Sequence, residues 1–157
     1  MGAYHVDVQI KPAFRGQIDA DEIARVARCV LDREGQPGDV GISLVITDDE
    51  QIRGLNRTYR RVDRATDVLA FPSAGGAEFV IPDEAGLYLG DVIISYPMAM
   101  AQAAERSHPV EAELAILVVH GCLHLLGYDD TGEEGRGRMW ARQEEILSDL
   151  GWEGVSL

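Results

Sequence analysis

Lysine is almost missing from this chain of 157 residues: Lys11 stands alone, and arginine supplies the other side-chain cations. The 14 cations face 27 carboxylates, which leaves a formal net charge of −13. Such a chain cannot coat nucleic acid through diffuse charge, because neutralising phosphates requires clustered cations. Any contact with a polyanion must be confined to a local groove. Cysteine is scarce too, with Cys29 and Cys122 far apart in segments of helical pattern. That argues against a disulfide framework or a thiolate zinc cluster and leaves both as reduced core residues. Long apolar runs are lacking, and Met1–Val8 has no basic stretch followed by an apolar one. A cytoplasmic protein without a membrane partner is expected. With no repeat or low-complexity segment, the length suits one domain, residues 1–157, with a sizeable core.

What is present is a clear alternation of elements. Val6–Ile10 alternates apolar and polar residues, as a half-buried strand does. Asp19 opens a helix whose stripe of Ile23, Val26, Ala27, Val30 and Leu31 runs up to Gly35. A turn at Gln36–Asp39 leads to a strand at Val40–Ile46, and Thr47–Glu50 reads as a capping box for a helix through about Thr58. Asp67–Phe71 is a short apolar segment stopped by Pro72, residues 73–77 have loop composition, and Glu78–Ile81 suits an edge strand or hairpin arm. Leu87–Ser95 is the clearest strand, and Pro97 fits the first turn of a helix ending near Ser107–Pro109. Two helices follow, one from Glu111 carrying two histidines and one from about Glu133 to Leu150. The order predicts an α+β fold with a mixed four-stranded sheet, about five helices, and the histidine helix against one face.

Residues 120–130 read His-Gly-Cys-Leu-His-Leu-Leu-Gly-Tyr-Asp-Asp. Positions four apart share a helix face, so His120 and His124 point the same way, at the end of a helix that is polar at its start and then apolar. Both histidines are expected to be substantially buried. Gly127 lets the helix stop, and Tyr128-Asp129-Asp130 returns toward them with carboxylates. Two core histidines bonded to backbone carbonyls are the plainer alternative. The shared face, the helix stop and the paired carboxylates favour a metal site. Too few ligands are local for a closed structural zinc site, since His5 and His108 lie elsewhere, so an open hydrolytic site is inferred. Zinc proteases of the His-Glu-x-x-His type carry a glutamate base where this chain has Gly121, which disfavours peptide hydrolysis. Arg57, Arg60, Arg61 and Arg64 cluster in an otherwise acidic chain, as a solvated face or a substrate surface.

These residues resemble the YbeY endoribonucleases, or rRNA maturation factors. The family pattern His-Gly-x-Leu-His-Leu-x-Gly-Tyr-Asp-His matches His120 through Asp129 at each specified position. Leu55-Asn56, Tyr59-Arg60, Asp63, Thr66–Leu69 and Phe71-Pro72 are similar to a second motif, and Leu89–Ser95 to a third. The resemblance implies a zincin-like α+β fold with one divalent metal, usually taken as Zn²⁺. It also implies single-strand-specific RNA cleavage, maturation of the 16S rRNA 3′ end and ribosome quality control. Ribosomal RNA and the small subunit or its proteins are the implied partners, and DNA is not expected. The family's functional arginine falls on Arg60, and its third metal-binding histidine on Asp130. There the chain departs from the pattern, and lesser departures are Ala65 and Ala70. Aspartate is a legitimate zinc ligand, so the expected metal set is His120, His124 and Asp130. Asp129 is a candidate to orient a histidine or to cap a helix. Arg57, Arg61 and Arg64 are candidates for gathering the RNA backbone. A non-catalytic, metal-stabilised ribosome assembly factor is the main alternative, and a small metallopeptidase a weaker one.

Overall fold

The computed structural model describes residues 4–73 and 88–152, and the segment Glu78–Ile81 lies outside them. Four strands, β1 (His5–Ile10), β2 (Gly41–Thr47), β3 (Val68–Pro72) and β4 (Tyr88–Ser95), form one sheet in the order β1-β2-β4-β3. The pairs β1·β2 and β2·β4 are parallel, and β3 runs antiparallel to β4 along the edge. A proline is tolerated at the end of β3 because an edge strand needs fewer backbone donors. Among the described residues there are five α-helices, α1 (Ala20–Arg33), α2 (Asp49–Arg60), α3 (Tyr96–Arg106), α4 (Val110–Leu125) and α5 (Glu133–Asp149), with a 3-10 turn at Pro12–Phe14. The mixed sheet and the α+β class are as the sequence predicts.

Alternation along the strands sorts side chains onto two faces. Ile42, Leu44, Ile46, Val92 and Ile94 pack in the main core with α1, α4 and α5, while Ile93 and Leu69 face Ile52 of α2. The sheet is therefore a middle layer, with α2 on one side and the other core helices opposite. Asp48 rather than Thr47 caps α2, accepting from the Gln51 amide at 2.8 Å. The capping-box reading is thus off by one residue: Thr47 ends β2, and its hydroxyl donates to the Gln51 side chain.

Helix α4 is apolar on all sides and is enclosed accordingly. From Ala112 to Leu123 each residue is buried except His120. Its one buried charge, Glu113, accepts from Arg106 Nη1 at 3.1 Å and lies 2.7 Å from His108 Nε2, so the carboxylate is paired. Gly121 sets how closely α4 approaches the sheet: a Cβ there would stand 2.5 Å from a Val92 methyl. Gly90, at φ +137, sits where β4 bulges against β2, and a Cβ on it would meet the Phe71 carbonyl oxygen at 2.2 Å. Both cysteines are free; Cys122 is buried, but Cys29 is only half-buried on the flank of α1.

Candidate metal centre

Helix α4 ends as the Gly127 signal predicts. Gly127 adopts φ +101, its amide donates to the His124 carbonyl at 3.0 Å, and the Tyr128 amide reaches back to Leu123 at 3.0 Å. This closing pattern reverses the chain within one turn. The returning segment brings Asp130 over the helix end. Its Oδ2 lies 4.0 Å from His120 Nε2 and 3.7 Å from His124 Nε2, while the two Nε2 atoms are 3.1 Å apart. A backbone close approach holds the loop in place: a Cβ on Gly135, in the first turns of α5, would stand 2.3 Å from the Asp129 carbonyl oxygen.

The donor set fits a metal. Tetrahedral ligands at 2.0–2.1 Å from zinc lie roughly 3.4 Å from one another, and the three separations bracket that figure. Two imidazole nitrogens in such contact need a proton or a cation between them. Gln143 of α5 settles one of them, because its Oε1 lies 2.7 Å from His120 Nδ1. An amide oxygen can only accept, so Nδ1 carries the proton and Nε2 presents its lone pair to the cluster. Burial first, and then the neighbouring His120 ring, push the His124 pKa below its ordinary value; Asp130 and the Tyr128 backbone act the other way. Neutral imidazole is the ligand form. The histidine side chains are 28% and 30% exposed, more open than the sequence suggests, and that access suits a site which admits substrate.

The expected residues divide sharply by place. His120, His124 and Asp130 come together as a group that could hold one ion. Arg60 joins them, although it belongs to α2 on the opposite face of the sheet. It reaches round edge strand β3, donating from Nη2 to the Ala70 carbonyl at 2.6 Å, with its guanidinium 5.3 Å from the centre of the Phe71 ring. A cavity of about 230 Å³ is lined by Arg60, β3 and both histidines. Arg57 and Arg64 line a separate surface hollow with Asp63, and Arg61 caps α2 in a left-handed conformation. Asp63 is engaged there, with the Arg53 hydrogen bond foremost in holding its carboxyl below the usual range. Asp129 turns from the histidines to the Thr131 amide and hydroxyl, each at 2.9 Å. It shapes the loop and contacts neither ring. His5 pairs with Asp39 and His108 with Glu113, both away from the centre.

Gln143 carried no signal in the sequence, since it meets His120 only through the packing of α5 on α4. Its burial within a largely polar helix shows only in the structure.

The family model described as Endoribonuclease YbeY matches residues 10–151. A protein of Roseiflexus castenholzii named Endoribonuclease YbeY is 48% identical over 147 residues, covering 93% of this chain and 92% of its own. One of the same name from Chloroflexus aurantiacus is 42% identical over 150 residues, covering 94% and 96%. The solution structure of TM1509 from Thermotoga maritima shares the fold, with a TM-score of 0.57 at 23% identity over 94% of this chain and 91% of that one.

Proposed function

The chain belongs to the YbeY endoribonuclease family, and from that premise we propose that it is a metal-dependent endoribonuclease cutting single-stranded ribosomal RNA. Maturation of the 16S rRNA 3′ end and ribosome quality control are the proposed settings, in the cytoplasm and with the small ribosomal subunit as partner. One observation carries the reading: a permanently charged arginine shares a cavity with two histidines of a triad that could hold a metal ion.

His120, His124 and Asp130 would hold the ion. When bound, a divalent cation, Zn²⁺ in this reading, supplies Lewis-acid charge against a phosphoryl oxygen. Arg60 takes the other side of the phosphate. Its planar guanidinium spends one nitrogen on Ala70 and keeps further donors for the substrate, positioned to offset charge as the phosphate reacts. Gln143 keeps the His120 proton on Nδ1, so that ring cannot drift to a non-ligating tautomer. Asp130 brings a negative charge where a third histidine would be neutral. With an ion bound, that charge would weaken the Lewis acidity of the centre and shift its preference among divalent ions. Arg57, Arg61 and Arg64 would act only by drawing RNA toward the groove.

The reading is tested with an end-labelled RNA offered single-stranded and as a duplex, with and without a chelator. Cutting of the single strand alone, lost on chelation and restored by divalent metal, is expected. Cutting that ignores the chelator contradicts metal dependence. Binding to small subunits without cutting any RNA favours the assembly-factor alternative.

A further inference from the structure

The triad stands between two cavities. Beyond His120 and Val68, which both share, a second cavity of about 240 Å³ opens on the α5 side. Its walls include Ile116 and Leu117 of α4 and Met139 and Trp140 of α5, with Asp130 of the triad also on its surface. The two sides differ in chemistry. The first cavity presents Arg60 and the edge of β3, whereas the second sets an aliphatic wall and Trp140 beside the carboxylates of Asp67, Glu113 and Asp130, of which Glu113 is paired with Arg106 and His108.

Trp140 is out of place for a residue with only a structural task. The other large apolar residues of α5, Met139, Ile146 and Leu147, are at most 2% exposed, while Trp140 is 50% exposed. An indole left half in water at the rim of this cavity offers a flat face at no further desolvation cost to the fold. Arg136, one turn earlier on α5, lines the same cavity, is exposed and makes no ion pair among the described residues. Arg106 also lines it but is held by Glu113, so Arg136 is the cation free to meet a phosphate.

We propose that this second cavity is a nucleobase subsite. It rests on the ribonuclease reading: with the scissile phosphate between Arg60 and the triad, the adjoining nucleotide places its base against the apolar wall of this cavity, stacked on Trp140, and Arg136 takes the next phosphate. Aliphatic walls accept any base by its face and read little of its edge, so selection is for an unpaired base over a particular sequence. A paired base remains in its stack and cannot enter.

The experiment uses the full chain and a short single-stranded RNA carrying 2′-O-methyl groups, read by fluorescence anisotropy, with single abasic positions moved along the strand. A cleavable all-ribose version of the oligonucleotide is assayed in parallel, and metal content is measured for each variant. In the wild type one abasic position weakens binding about tenfold, the scale of one lost stacking contact. Trp140→Ala loses about tenfold on intact RNA and nothing further at that abasic position, while Trp140→Phe keeps most of the affinity. Metal content stays the same throughout. Wild-type binding to intact RNA that Trp140→Ala reproduces overturns the subsite and leaves the ribonuclease reading standing. A wild type that neither binds nor cuts overturns both.

Discussion

At the scale of single residues, charge and proton placement decide the chemistry. Arg60 is exposed and anchored by one hydrogen bond to a backbone carbonyl, so reversing its charge leaves the core untouched. Arg60→Glu is expected to abolish RNA cleavage while metal content and melting temperature stay at wild-type values; retained cleavage would remove Arg60 from the mechanism. Gln143 acts one step further out. Gln143→Ala removes the acceptor that fixes the His120 tautomer, and metal affinity is expected to fall about 10–100-fold, measured by competition with a chromogenic chelator. Equal affinity in that variant would mean the cluster orders itself without α5. The pairing of His120 with His124 and the returning carboxylates were readable from residues 120–130, because helical spacing and a glycine stop are local rules; the choice of Asp130 over Asp129 came from the family resemblance. Gln143 was not, since no local rule links it to a histidine 23 positions away.

At the scale of elements, close approach matters more than any single bond. Helix α4 rests on β4 through Gly121, whose Cβ position is already taken by a methyl of the fully buried Val92. Gly121→Ala gains up to about 1 kcal/mol in helix propensity but overfills the contact at a cost of about 1–3 kcal/mol. A net loss on the order of 1 kcal/mol, a fall of roughly 2–4 °C in melting temperature for a domain of this size, is expected in calorimetry. The same contact leaves no room for a glutamate base at this position, which removes the local basis for a zinc-protease mechanism. Strand and helix positions were legible because amphipathic periods and caps are written locally; the Thr47 misreading arose where two cap-forming residues, Thr47 and Asp48, stand side by side. The path of Arg60 round β3 was not legible, because it depends on which face of the sheet α2 covers. Neither was the engagement of Asp63 by Arg53, which assigns part of the arginine cluster to a separate surface.

At the scale of the whole molecule, the enclosure of α4 sets the response to alkali. Burial pushes the Cys122 thiol up to about 12 from an ordinary 9.0. The unfolded chain therefore releases this proton first, and the associated stability, full below pH 9, drains as pH climbs toward 12. Melting temperatures should fall across that window, and Cys122 should resist iodoacetamide at pH 8 until denaturant is added, by mass spectrometry of labelled peptides. Labelling of Cys122 in the native state would contradict the packing of α4. The net charge of −13 disfavours diffuse attraction of RNA, so contact is expected to depend on locally placed cations such as Arg60. The most direct test is a titration of metal-stripped protein with divalent ion, following cleavage of single-stranded RNA. The account predicts activity that rises from zero and saturates at one ion per chain, with neither binding nor cleavage in Asp130→Ala. Full-rate cleavage by stripped protein, or unchanged metal stoichiometry in Asp130→Ala, would contradict it.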